Sequence, residues 1–478
     1  MESWSVGTVA ERILHLGDVE SDPTECADRK LDQRAWEHAK GRHMILAVLL
    51  LLLVTDVLIL VHELGHLIAA KWAGMPVTSF SVGFGPALFR FRIGETRYQL
   101  ALIPLGGFVR IMGMQGTEED RRRWPNGFAF QKVHRRMIVV VAGVAANAAL
   151  ALVIYAILGS TGGATPPTPA RVSAVFEDEL PAGATGWLSM RSDVDVAQVA
   201  GRDVSDWGDF AMALLSVDAG PQHLVFANGD TLRVMIPDLE GERIQLLASL
   251  LPPLPPVLGT VQAGSPAERA GLVTGDRIVA VEGTPTPTFF AWLGAMPSSP
   301  TSPVSLRIMR RGVGMDVDVP QPDPGFAPVG SFGWLGAHLG TEFLDQDVSG
   351  AIAYSAGEVG RHTRLITESG KLLVTGAVGL REVSGPVEIA RMSERAYRMN
   401  WPQFFAFVAF LSLNLAILNS LPIPVLDGGH FLLLAIEGVI RRPLHPRLVR
   451  YTSIAGATVV VFFMSFAFLN DILKLLGR

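Results

Sequence analysis

Cysteine is nearly absent from this chain of 478 residues, where Cys26 stands alone. That excludes an intramolecular disulfide and a cysteine-built zinc site. Charge is scarce too. Charged residues make up 18% of the chain against 49% hydrophobic, and the mean hydropathy is +0.34. A soluble protein carries more charge, and a pure membrane bundle is more apolar through its middle. Membrane segments joined to soluble domains are therefore implied. The formal net charge of −5 lacks the basic excess of a nucleic-acid binder, so no nucleic-acid partner is expected. No small-residue cleavage site follows the first apolar run, so that run does not read as a cleavable signal peptide.

What the chain has is apolar runs of spanning length. Met44 to Val61 reads MILAVLLLLLVTDVLILV and continues to about Ala70. Further runs cover Met137 to Leu158, about Gln403 to Leu426, and Tyr451 to Asn470. Each suits the ~30 Å hydrocarbon core of a bilayer. Arginine and lysine crowd the loop after the first run (Arg90, Arg92, Arg97, Arg110, Arg121–Arg123, Lys132, Arg135, Arg136) and the loop after the third (Arg441, Arg442, Arg447, Arg450). The positive-inside rule puts both loops in the cytoplasm and the long region between the second and third runs outside. Lys40 and Arg42, before the first run, go against that assignment. Residues 1–43 are polar and without periodicity, and read as a disordered extension or as sequence upstream of a natural start at Met44.

The first run ends in His62-Glu63-Leu64-Gly65-His66. On a helix this spacing stacks two imidazoles one turn apart on one face, where both can ligate one Zn²⁺. Glu63 is placed to act as general base on a water. Ionisable groups at membrane depth are costly, which makes them functional by default. Zinc needs a third protein ligand, and Asp427 in Asn419-Ser-Leu-Pro-Ile-Pro-Val-Leu-Asp-Gly-Gly-His430 is the best candidate, at the end of the third run. Pro422 and Pro424 open the backbone there, and open backbone in a bilayer is tolerated only where it lines protein or a wet cavity. His430 is the rival ligand.

The middle of the chain has short β-like runs punctuated by Gly and Pro. Val257 to Thr286 reads VLGTVQAGSPAERAGLVTGDRIVAVEGTPT, and this looks like a PDZ domain of the bacterial type. Such domains bind an extended peptide along a sheet edge. Gly333-Trp334-Leu335-Gly336 could supply its peptide-end loop or be a plain turn. The stretch 168–250 has a comparable layout, with Asp193 to Gly201 as the matching strand and turn. Leu251-Pro-Pro-Leu-Pro-Pro256 reads as a stiff linker.

Taken together, VHELGH, SVGFGP (Ser81 to Pro86), ALIPLGGFV (Ala101 to Val109), the PDZ-like pair, SGPVEIA (Ser384 to Ala390) and NxxPxPxLDGGH resemble the site-2 protease family of intramembrane metalloproteases, in its bacterial branch with tandem PDZ domains. The resemblance implies a polytopic α-helical membrane protein with four transmembrane helices, a membrane-embedded β-hairpin and two β-rich PDZ-like domains. It implies Zn²⁺ on His62, His66 and Asp427, with Glu63 catalytic. Asn414, Asn419 and Asn147 match substrate-handling positions, and Val144 stands where the family has Pro. Glu95 to Met112 would be strand, turn and strand, turning at Gly106-Gly107, with an edge that pairs with substrate. The implied layout is a membrane core at 44–160 and 401–478, PDZ-like domains at 161–251 and 252–340, and a membrane-surface connecting region at 341–400. The implied partners are the bilayer, single-pass substrates such as anti-sigma factors, and an upstream protease that trims them first, all at a bacterial inner membrane. The PDZ-like pair would act outside as a size filter. Asp56 departs from the family, where a small or apolar residue is usual. It lies two turns before Glu63, ~10 Å along the axis. A non-catalytic PDZ-containing membrane adaptor is the competing class, and a metal transporter ranks last because only one ligand cluster is visible.

Overall fold

The computed structural model describes residues 29–475 apart from 115–116, 298–299, 324–325, 327–331, 345, 377–378 and 380–384. They fall into two units, one holding residues 162–345 and 367–382, the other 27–161, 346–366 and 383–478.

The second of these is helical. Among its described residues, four helices are long and apolar enough to cross a membrane: Ile45–Trp72, Val133–Ser160, Trp401–Asn419 and Arg447–Lys474. The first belongs to α1 (Arg29–Trp72). Residues 29–43 extend this helix, while residues 1–28 lie outside the described residues. The Arg, Lys, Gln, Glu and Ala of 29–43 are good helix formers, and extending an existing helix needs no new nucleus.

Helix α2 (Val133–Ser160) crosses α1 at close range. A Cβ on Gly65 would lie 2.3 Å from the carbonyl oxygen of Ala142 and 2.8 Å from Cβ of Ala146. Small residues let helix backbones approach in an apolar medium, where packing rather than water drives association. Between α1 and α2 the chain makes strands β1 (Val77–Ile93) and β2 (Thr96–Ile111). They pair antiparallel from Val77↔Ile111 to Ile93↔Thr96, so the hairpin turns at Gly94-Glu95. Gly94, at φ +59°, supplies the positive φ that the first position of a tight two-residue turn needs. The turn expected at Gly106-Gly107 is instead a bend within β2. The hairpin is folded on itself there, so Ser79 to Val82 also pair with Arg97 to Leu100 running the same way.

Helices α3 (Val348–Thr375), α4 (Pro386–Met399), α5 (Trp401–Asn419), α6 (Asp427–Ile440) and α7 (Pro446–Leu475) follow. Asp427 therefore opens α6 and does not end the third spanning helix, a correction to the sequence reading. Pro422 and Pro424 lack amide hydrogens, so the helix cannot run through them. Gly428 and Gly429 fit the connector against α6, since a Cβ on either would lie 2.2 Å from the carbonyl oxygen of Ser420 or Ile423. Buried Asp471 of α7 caps α4, accepting the amides of Gly385 (2.8 Å), Val387 (2.8 Å) and Glu388 (3.3 Å). Arg136 of α2 grips Glu437 of α6 with both guanidinium ends, at 2.6 and 3.2 Å.

The other unit contains two four-stranded sheets with separate cores, one around Trp187, Trp207 and Phe210, the other around Phe289, Trp292 and Phe332. In each sheet a strand (Val196–Val199, Arg277–Val281) turns into a two-residue strand (Arg202–Asp203, Thr284–Pro285), and a helix then leads to a hairpin. The two first turns match residue for residue: Ala200-Gly201 at φ +50° and +78°, Glu282-Gly283 at φ +49° and +78°. In the second sheet module, Ser265 caps Pro266–Arg269 by accepting the Glu268 amide (3.1 Å), and Glu268 accepts the Gly264 amide (2.6 Å). Leu251 to Pro256 is not a free linker. Leu251 and Leu254 are buried in the second core and Leu251 pairs with Ala174, because every third residue of the proline run is an apolar leucine.

On α3, His362 is buried beside Tyr155 of α2, with rings stacked at 5.7 Å. Its Nδ1–H donates to the Glu358 carbonyl (2.9 Å), and Tyr155 Oη donates to the Ala406 carbonyl (3.3 Å). Burial, followed by the Arg361 cation, pulls the His362 pKa down from 6.5 to about 4. Folding thus favours the neutral ring. Its contribution is full above pH 6.5 and is lost as pH falls toward about 4, by at most ~3 kcal/mol. Thermal unfolding midpoints across that range should decline more steeply for the parent than for His362→Gln; parallel curves would contradict the assignment.

Candidate metal centre

Helix α1 presents His62 and His66 on one face, with Nε2 atoms 3.2 Å apart. Asp427, the first residue of α6, brings Oδ2 to 3.1 Å from His62 Nε2 and 3.4 Å from His66 Nε2. Each ring has a second partner behind it. His66 Nδ1 lies 2.8 Å from the Val139 carbonyl. A carbonyl only accepts, so Nδ1 carries the hydrogen and the Nε2 lone pair faces Asp427. His62 Nδ1 faces the Asn147 side-chain amide at 3.5 Å, while Asn147 Oδ1 is buried without a partner. With that amide turned over, Oδ1 accepts Nδ1–H of His62, and the second Nε2 lone pair also points inward.

Two nitrogen lone pairs and a carboxylate oxygen then converge with no hydrogen among them, and Asp427 Oδ2 has no hydrogen-bond partner of its own. Such a cluster needs a cation. Ligand bonds of ~2.0–2.1 Å in a tetrahedron set donor atoms ~3.3 Å apart, which is the spacing found here. The residues therefore fit zinc with three protein ligands and one position left open. His430, on the next turn of α6, is not in the cluster.

Two side chains of α2 (Arg136, Asn147), one backbone carbonyl (Val139) and one glycine (Gly143) serve the cluster from one stripe at helical spacing. Gly143 is the tightest point. A Cβ there would lie 2.4 Å from His66 Nε2 and 2.7 Å from His62 Cε1. Asn147, fully buried, is tied to α5 by Ser412, whose Oγ donates to its backbone carbonyl (2.8 Å). Asn414 and Asn419 lie on the last turns of α5, half-buried, and make no hydrogen bond to the His62–His66–Asp427 group.

Glu63 points to the hairpin. Its carboxylate accepts the Val109 amide, and its Cγ lies 3.5 Å from where a Cβ on Gly107 would sit. A Cβ on Gly107 would also stand 2.7 Å from the Ser81 carbonyl oxygen, so only glycine fits. Gly106, at φ +113°, gives its amide to Asp56. Asp56 thus faces the hairpin bend two turns up α1 from Glu63. Sequence reasoning missed Val139, which acts through its backbone, and the Arg136–Glu437 pair, whose partners are far apart in the chain. The small-residue run Ala142 to Ala146 was the available signal for the close crossing.

The model of peptidase family M50 matches residues 48–463. A Ralstonia nicotianae protein assigned by name as a zinc metalloprotease is 30% identical over 90% of this chain and 99% of its own length. The regulator of sigma-E protease of Salmonella typhimurium is 30% identical over 89% of this chain and 98% of its own. For that of Escherichia coli the values are 29%, 88% and 96%.

Gly143→Ala should push the two imidazoles apart. The expected outcome is ~10–100-fold weaker zinc retention against a chelator, with helical content unchanged. Retention equal to the parent would remove Gly143 from the centre.

Proposed function

The chain belongs to peptidase family M50, the site-2 proteases, and is a zinc metalloprotease; we propose that His62, His66 and Asp427 hold the zinc, that Glu63 is the general acid–base, and that the scissile bond lies in a membrane segment. The observation that carries this reading is the convergence of three donor atoms within 3.4 Å, two of them from a helix apolar enough to span a bilayer.

Zinc, when bound, polarises the scissile carbonyl and acidifies the attacking water. Glu63 takes a proton from that water and returns one to the leaving amine. Val139 and Asn147 keep both imidazoles in the ligating tautomer. The β1–β2 hairpin enters the membrane beside α1. A substrate helix shields its own peptide bonds, so it has to unwind before it can be cut. The edge segment Gly107 to Ile111, next to Glu63, offers backbone partners to the unwound strand. Asn414 and Asn419 line the substrate's approach.

The two sheet modules of residues 162–345 are PDZ-like and lie on the outer side of a bacterial inner membrane, with the basic loops in the cytoplasm. They reject substrates with bulky outer domains. The relatives named as regulators of sigma-E suggest anti-sigma-factor-like substrates, trimmed first by another protease. The adaptor alternative keeps the modules and discards the chemistry.

The test is cleavage of a tagged, pre-trimmed membrane-helix substrate by purified protein. Glu63→Gln should lose at least ~100-fold in rate while keeping its zinc. His62→Ala and Asp427→Ala should lose the zinc itself. Zinc absent from the parent would favour the adaptor. Removing residues 168–340 should let untrimmed substrates be cut, and unchanged selectivity would refute the size filter.

A further inference from the structure

The outer half of the β1–β2 hairpin is two-faced. Register sets Arg92 directly opposite Arg97 and Arg90 opposite Gln99. Alternation along each strand gathers these four on one face. The other face carries Phe89, Phe91, Ile93, Tyr98 and Leu100, with Phe91 stacked on Tyr98 at 5.2 Å. Phe89 is 62% exposed and Ile93 61%.

Neither face is fully covered: Gln99 donates to Ser81 Oγ (3.0 Å) and Tyr98 packs on Phe80 (5.8 Å), while Phe89, Phe91 and Ile93 stay exposed. Like charges directly opposite across strands repel, and a sheet holds such a pair at a cost unless an anion sits between them. Arg90, Arg92 and Arg97 are all exposed. Among the described residues no carboxylate pairs with them, and the Arg92 Nε bond to the Gly94 carbonyl (3.1 Å) stays within the turn.

A contact to α1 fixes the depth of this flap. Lys71 Nζ donates to Tyr98 Oη at 2.8 Å. Lys71 is in the last turn of α1, next to Trp72, which ends the span and is 74% exposed. The end of a spanning helix marked by Trp and Lys is headgroup level. An apolar face and an arginine face meeting at that level match acyl chains on one side and phosphates on the other.

We infer that the outer half of the β1–β2 hairpin docks on anionic phospholipid headgroups through Arg90, Arg92 and Arg97. This rests on the proposed placement of the hairpin in the membrane. A free phosphate would satisfy the guanidiniums and leave the aromatic face bare, whereas a lipid covers both. Strand β2 continues from this flap, through the bend at Gly106, to Gly107 and Val109 beside Glu63. The lipid contact therefore sets the height of the substrate-pairing edge relative to the catalytic carboxylate.

The test uses the full chain with Cys26→Ser and Glu95→Cys, the latter carrying an environment-sensitive fluorophore at the exposed turn. It is reconstituted in nanodiscs of phosphatidylcholine, alone or with about one third phosphatidylglycerol, and quenched by headgroup spin-labelled lipid. Quenching should rise at least ~2-fold with phosphatidylglycerol. The rise should vanish in Arg92→Gln/Arg97→Gln, with quenching in pure phosphatidylcholine and zinc content retained, and survive in Arg92→Lys/Arg97→Lys. Equal quenching in both lipids, or a rise that persists in the glutamine variant, overturns the lipid site alone. So does a rise reproduced by excess inorganic phosphate in pure phosphatidylcholine, which would make it a free-anion site. No quenching in either lipid overturns the placement of the hairpin in the membrane, and the lipid site with it.

Discussion

Three electron-rich atoms held within 3.4 Å of one another, in a helix bundle with few charges, is an arrangement that repels itself. Without a cation, His62 Nε2, His66 Nε2 and Asp427 Oδ2 would separate or take up a proton. Much of the helical unit can be read as the apparatus that keeps them together. Helix α2 does most of it from one stripe. Val139 and Asn147 fix the two rings from behind, Gly143 leaves them room, and Arg136 grips the helix that carries the carboxylate. That ion pair is part-buried, so removing one partner would leave the other charge poorly hydrated.

The same constraint accounts for the glycines. Gly65 and Gly143 set how closely α1 and α2 cross, and Gly428 and Gly429 set how closely α6 starts against its own connector. Gly107 lets the hairpin lie on Glu63. None of these could carry a Cβ without moving backbone or ligand atoms, so the ligand geometry is set by what the helices lack at their contacts.

Much of this was legible in the sequence. The His-Glu-x-x-His spacing can mean only one helix face, spanning runs are read by length, and Asp427 was the carboxylate at depth. What stayed hidden has physical reasons. Periodicity does not show where a helix stops short of a proline, so Asp427 was put at the end of one helix and not the start of the next. Gly94 and Gly106 both take positive φ, and sequence alone does not say which reverses the chain and which bends it. Leu251 and Leu254 looked like spacers because their burial depends on a core assembled from distant residues. The Arg136–Glu437 pair and the Val139 carbonyl are tertiary facts with no local signature.

The donor atoms also come from opposite ends of the chain: the two histidines near its start, and the aspartate near its finish. On a ribosome adding ~5–20 residues per second, the histidine helix would enter the bilayer roughly 20–70 s before Asp427 exists. Through that interval the nascent protein holds two of the three proposed ligands. On the proposed assignment, the third ligand joins the two histidines only long after their helix has entered the bilayer.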